Sequence, residues 1–283
     1  MSLSAYSSKL EVAWHYLFRF LCALILLFLI APILVIIPLS FNVEPYFTFT
    51  SGMLAFDPDA FSLRWYRDFV NNTQWTHSLK NSFIIAIAST ILATILGTTA
   101  ALGLSQPHMP YRSAVMGVLI SPMIVPLIIS AAGMYFFYSN IGLDQTLLGI
   151  ILAHTALGTP FVVITVTATL VGFDNALTRA SANLGAPPTT TFFKITLPLI
   201  LPGVISGSLF AFITSFDEVV VVLFLAGFDQ RTIPRQMWAG IREQISPTIL
   251  AVATILVFIS ISMLSTLELL RRRAERLRGV SAH

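Results

Sequence analysis

Charge is scarce in this sequence. Only 10% of its 283 residues are Asp, Glu, Lys or Arg, while 56% are apolar and the mean hydropathy is +0.83. Soluble domains carry about 25% charged residues. So few charges cannot cover a globular surface in water, which excludes a soluble enzyme, a disordered regulator and a nucleic-acid-binding domain. Cysteine is nearly absent. The single Cys22 excludes an internal disulfide and a cysteine-based metal site, and in its apolar run it reads as a small packed hydrophobe. No G-x(4)-G-K-[ST] occurs, so the chain has no loop of that type to cradle ATP phosphates. There is no nucleophile elbow and no zinc motif. His15, His77, His108 and His283 are scattered with no metal-ligand spacing, and His154, with Thr155, reads either as a polar group in a cavity or, as a lone helix histidine more often is, a packed hydrogen-bond donor. No catalytic residue, metal or cofactor is expected in this chain. Any power source lies on another one.

What the sequence does have is long apolar runs. A spanning helix needs about 20 such residues, and six candidates occur, at 18–41, 79–104, 113–138, 147–171, 199–226 and 247–270. The first is longer than a signal-peptide core and has no small-x-small cleavage site, so it is expected to be retained. Pro122 and Pro126 fall in the third and Pro160 in the fourth. Proline within a membrane helix marks either a kink that lines a cavity or a bend needed for packing. The expected fold is therefore all-α, a polytopic membrane protein with six transmembrane helices. It comprises an N-terminal segment 1–17, a six-span domain 18–270 and a basic tail 271–283.

Six spans put both termini on one side. That side holds ten basic residues: Lys9, Arg19, Arg112, Arg179, Lys194, Arg271, Arg272, Arg273, Arg276 and Arg278. The other side holds six, counting Lys80 at the border, together with seven acids. The excess of basic residues places both termini, 105–112 and 172–198 on the cytoplasmic side of a multi-pass membrane protein. On the outer side, Phe61-Ser62-Leu63-Arg64-Trp65-Tyr66 suits the membrane interface and predicts a short amphipathic helix within 42–78.

The cytoplasmic loop 172–198 reads as two short helices. Asp174 is a candidate N-cap, and Leu177, Ala180, Ser181 and Leu184 share one face. Gly185 falls where a left-handed residue ends a helix. Pro187-Pro188 suits a second helix start, and Phe192, Phe193 and Ile195 supply apolar knobs. Exposed Leu and Phe on such a loop require a protein partner or the membrane surface to cover them.

This loop resembles the signature of permease subunits of bacterial binding-protein-dependent ABC importers, Glu-Ala-Ala-x(3)-Gly-x(9)-Ile-x-Leu-Pro. The chain reads Arg179-Ala180-Ser181-x(3)-Gly185-x(9)-Ile195-x-Leu197-Pro198, with Phe192 where the family often has an aromatic residue. The resemblance covers roughly 60–270 and implies a type I ABC importer permease fold. It makes Arg179, Ala180, Ser181, Leu184, Gly185, Ala186, Phe192, Ile195, Leu197 and Pro198 the surface that docks on an ATPase subunit. Arg179 and Ser181 depart from the pattern. Where the family glutamate makes a polar contact, Arg179 implies either a compensating partner or docking by shape.

The implied partners are a second permease (a heterodimer being favoured), two ATP-binding subunits that hold ATP and Mg, and an extracytoplasmic solute-binding protein. Ser121-Pro122, Pro160-Phe161-Val162-Val163-Ile164-Thr165-Val166 and Ser215-Phe216-Asp217-Glu218-Val219-Val220-Val221 look closest to the spermidine/putrescine (polyamine/opine) type. Met123 stands where that type often has an acid. Other small solutes (an amino acid derivative, ferric iron, thiamine) are alternatives. Different classes are a membrane-embedded enzyme and an ATP-independent carrier.

Asp217 and Glu218 are the only acids deep in an expected span. A charge at that depth costs about 2.5–3.5 kcal/mol on insertion scales, so it faces a cavity or a partner. Both are candidate pathway residues, with Phe216 beside them. Tyr135 could offer a ring face to an amine or belong to an interfacial aromatic belt. Gly203, Gly207, Ala211 and Ser215 form a small-residue stripe suited to close helix approach.

Overall fold

A computed structural model describes residues 8–106, 108–243 and 246–277. Among them the regular structure is helical, apart from one isolated antiparallel bridge between Asn42 and Phe61. In chain order the helices are α1 (Lys9–Leu39), α2 (Ser51–Leu54), α3 (Arg64–Asn71) and α4 (Thr73–Leu104). Next come α5 (Arg112–Ile124), α6 (Leu127–Ile141), α7 (Leu147–Val171), α8 (Ala176–Asn183) and α9 (Pro188–Thr191). A single π-turn over Phe192–Thr196 leads into α10 (Leu197–Asp217), followed by α11 (Val220–Leu225), α12 (Ile233–Glu243) and α13 (Thr248–Leu277).

Among the described residues five helical segments are long and apolar enough to cross a membrane, and the pair α5–α6 makes a sixth if its two bent halves count as one span. The six-span pattern therefore stands, and α7 coincides with its expected range. The other boundaries move for local reasons. The first helix starts at Lys9, not 18, because Ser8 and Glu11 form a reciprocal capping box; residues 1–7 of the expected N-terminal segment lie outside the described residues. The second starts at Thr73, where Asn72 accepts from the Gln74 amide at 2.9 Å.

The third span is not one rod: α5 and α6 meet at 100°. A residue before proline is pushed out of the helical region, and Val125, before Pro126, is extended at φ −68°, ψ 134°. The fifth helical run begins at Pro188 and stops at Asp217, so the expected continuous span 199–226 is corrected to a helix, a break and a separate short helix α11. The sixth continues past 270 to Leu277, so no break separates it from the basic tail; Arg278 and 279–283 lie outside the described residues. Cys22 is half-exposed on α1 and not packed, because the chain covers none of the apolar window of that helix. Such a helix needs hydrocarbon or another apolar surface around it.

The chain forms two compact units, Met1–Asn71 with Gln244–Leu264 and Asn72–Glu243 with Ser265–His283. In the first, α3 is the expected amphipathic helix, and it buries Trp65 and Phe69. The Trp65 indole donates to the Asn42 carbonyl at 2.7 Å, and the Tyr66 and Ser40 hydroxyls are 2.6 Å apart. The aromatic stretch is thus folded onto the end of α1.

In the second unit α4, α7 and α10 pack together around Ala93, Ala101, Val162, Val166, Ile200 and Ala211. Between membrane helices, close approach of small residues drives association. The stripe does this: Gly203, Gly207, Ala211 and Ser215 are all buried. A Cβ added to Gly207 would lie 2.7 Å from the Val162 Cα. A second cluster sets Val221, Val222 and Leu225 of α11 against Ala131 and Tyr138 of α6 and Ile150 of α7.

Candidate functional site

The loop between α7 and α10 is built by turn chemistry. Asp174 accepts from the Ala176 amide at 2.8 Å, though Asn175, one residue on, holds the N-cap position itself. Helix α8 ends in a Schellman motif: the Ala186 amide reaches the Ser181 carbonyl at 3.1 Å and the Gly185 amide the Ala182 carbonyl at 2.9 Å. Gly185 has φ +78°, as its position in the pattern predicts. The second expected short helix exists as α9, but it does not end; the π-turn carries it into α10.

The candidate docking residues divide by exposure. Arg179, Ala180, Pro198 and Leu184 are exposed, Leu184 at 88%. Ala186, Phe192, Ile195 and Leu197 are half-buried. Ser181 turns inward, and its hydroxyl lies 2.8 Å from that of Thr191, tying α8 to α9. The outward apolar surface is therefore Leu177, Leu184 and Phe193. Behind α8 a cavity of about 450 Å³ is lined by Gln106, Asn175, Thr178 and Thr191, among others.

At the far end of α10 the two acids separate. Asp217 is the last residue of the helix and is exposed. Glu218 adopts extended backbone and is 7% exposed, and its carboxylate accepts from the Val221 amide at 2.8 Å, in the first turn of α11. The expectation that both acids sit within one continuous span is thus corrected: they sit at a helix break, and Glu218 serves that break. Phe216 stacks on Phe212 with centroids 5.6 Å apart and meets Phe83 at 5.3 Å. Tyr135 lies on α6 against Phe136. Among the described residues no group of His, Cys, Asp and Glu could hold a metal ion.

Three features carry no local sequence signal. His154, 1% exposed, places Nδ1 2.8 Å from the Ser215 hydroxyl, and the Ser89 hydroxyl donates to Ser215 at 3.0 Å. This knot joins α4, α7 and α10 two residues before Asp217, and it bears out the packed reading of His154. Arg235 on α12 donates to the carbonyls of Val222, Ala226 and Gly227, closing the carboxyl end of α11. Asn81 and His77 on α4 both reach the Asp229 carbonyl, fixing the connection from α11 to α12.

The family described as binding-protein-dependent transport system inner membrane component matches residues 93–276, which include the loop between α7 and α10, the two acids and the cluster around Ala93 and Ala211. The spermidine/putrescine transport system permease protein PotC of Haemophilus influenzae is 31% identical over 246 residues, 87% of this chain and 93% of that one. A bacterial ABC transporter involved in the import of the acidic polysaccharide alginate has a chain of the same fold, with TM-score 0.75 at 14% identity, covering 94% of this chain and 99% of that one. The alginate transporter in complex with its pentasaccharide-bound periplasmic protein matches at TM-score 0.66 and 17% identity, over 97% and 98% of the two chains. The loop with its glycine-closed turn, the all-helical membrane architecture and these matches agree: the chain belongs to the binding-protein-dependent transport system inner membrane component family and is a permease subunit of an ABC importer.

Proposed function

We propose that this chain forms half of the translocation pathway of an ATP-driven importer for a small amine solute such as a polyamine or opine. The observation that carries this reading is the division of labour between the acids. Glu218 is consumed in capping α11, whereas Asp217 is left exposed at the end of α10 with no ion pair among the described residues. An exposed, unpaired carboxylate in the membrane region suits an ammonium group. The name of the Haemophilus relative supports the same cargo class.

The assembly follows from the family. A second permease completes the pathway, heterodimeric by preference. Two ATPase subunits bind ATP and Mg and hydrolyse it, and a solute-binding protein delivers cargo from outside. Both termini and the α8 loop face the cytoplasm of the inner membrane. Leu177, Leu184, Phe193 and Arg179 dock on the ATPase around the Gly185 turn, and Ser181 holds the two loop helices together.

Asp217→Asn keeps shape and removes charge. Uptake of an amine cargo by proteoliposomes is expected to fall at least tenfold, with ATPase association unchanged. Undiminished uptake would reject the electrostatic role and favour a neutral or zwitterionic cargo, the outcome that Met123 in place of a second acid would then explain.

A further inference from the structure

On the second unit, at the end carrying Asp217, a cavity of about 240 Å³ opens between the first turns of α4 and the connection from α11 to α12. Its walls are Thr73, Gln74, His77 and Ser78 on one side and Phe228, Asp229, Arg231 and Gln236 on the other. Arg231 dominates its chemistry. The guanidinium lies over the Phe228 ring at 4.6 Å and reaches Gln236 Oε1 only at 3.4 Å. Its Nε is buried without any acceptor, and it forms no ion pair among the described residues. Five donors on a permanent cation are thus left with one long hydrogen bond.

A second cation adds to the field. Burial and the neighbouring Arg231 charge both press Arg235 to lose its proton more readily than an ordinary arginine. The positive end of the α4 dipole points at the same space. Asp229 lines the wall without pairing with Arg231, and its backbone carbonyl is taken by His77 and Asn81. A guanidinium seated over an aromatic ring, on the wall of a polar cavity and with donors left unpaired, presents the fork that a carboxylate matches.

We infer that this cavity receives an acidic side chain of the docked solute-binding protein, with Arg231 as its charge partner. The inference rests on the importer reading and on its placement of this end outside the cell. One observation favours a protein carboxylate over a lipid headgroup. Helix α4 has 32 residues, about 48 Å at 1.5 Å each, against about 40–45 Å for a bilayer with its headgroups. Its apolar run begins only at residue 79, so the polar opening 73–78 carries the excess and reaches past the headgroups, and the cavity with it.

The test uses the complete importer, with its second permease and ATPase subunits, in nanodiscs. Its cognate binding protein is titrated and ATP hydrolysis is followed. Arg231→Gln is expected to raise the half-saturating binding-protein concentration about tenfold, with basal hydrolysis and the stimulated ceiling unchanged. Arg231→Lys should fall between, since an ammonium lacks the fork. The wild-type half-saturation should rise with salt more steeply than that of Arg231→Gln. Should Arg231→Gln fail to assemble, Gln74→Glu places an opposing charge on the other wall and should weaken docking likewise.

Equal half-saturation in wild type and in either assembled variant overturns the inference. So does a wild-type response that requires anionic phospholipid and loses that requirement in Arg231→Gln, which would make a headgroup the occupant. A wild-type complex that no binding protein stimulates would instead bring down the importer reading, and this inference with it.

Discussion

The Gly185 turn allows a substitution series in which backbone and packing separate. Gly185 has φ +78°, and a Cβ built there meets nothing within 4 Å. Any cost of a side chain is therefore conformational. A non-glycine residue in the left-handed region costs about 1–2 kcal/mol, asparagine less, and a β-branched residue is a genuine outlier there. The two Schellman bonds that the turn supports are worth about 1 kcal/mol each, so valine offsets most of what holds the turn closed. A change of about 1–2 kcal/mol is a factor of about 5–30 in the closed-to-open ratio.

Hydrogen–deuterium exchange of peptides covering 176–191 in the purified complex reads this ratio directly. Amide exchange around Gly185 is expected to be about 5–30 times faster in Gly185→Val, with Gly185→Ala between and Gly185→Asn close to wild type. ATP-driven uptake should follow the same order while membrane insertion is unaffected. Equal protection in Gly185→Val and wild type, or equal damage from asparagine and valine, would refute the reasoning.

Other outcomes follow from the packing and the topology. Gly207→Ala drives a Cβ to 2.7 Å from the Val162 Cα, so α10 and α7 must separate; overpacking of this kind costs about 1–3 kcal/mol and should lower the unfolding temperature in detergent, whereas Gly117→Ala, with nothing within 4 Å, should not. In a Cys22→Ala background, Leu184→Cys should resist a membrane-impermeant thiol reagent in intact cells and Asn140→Cys should react; the reverse pattern would invert the map. Leu184 is the better reporter for the loop, since Ser181 is buried against Thr191.

Where local chemistry decides the structure, the sequence is legible. The α7 boundaries come from Thr146, which caps its first turn, and Gly172, which follows its last residue. The Gly185 turn is readable from one glycine after an apolar face. The break at Val125 follows from Pro126, although nothing in the sequence gives its 100° angle. The break after Asp217 is different. Residues 215–226 contain neither proline nor an interrupting glycine and pass as continuous span. The available signal is Glu218 itself, an acid directly before an apolar run, which is the pattern of a helix start and not only of a pathway charge. The knot of Ser89, His154 and Ser215 and the closure of α11 by Arg235 join residues far apart in sequence, and no periodicity announces them.

Helix α10 and the turn before it make one continuous rod from Pro188 to Asp217. It is seated on α7 along Gly203, Gly207 and Ala211 and pinned near its far end through Ser215. A seated and pinned rod is a lever, with its fulcrum near Ala211. The arm from there to Phe192 is about 28 Å and the arm to Asp217 about 9 Å, at 1.5 Å per residue. A tilt that carries the loop end about 6 Å moves the acid about 2 Å in the opposite sense, with a mechanical advantage of about three by the same geometry. On the function proposed above, the long, exposed end is where a docked ATPase would apply a large displacement, and the short end is where a small, forceful one would reach the Asp217 carboxylate.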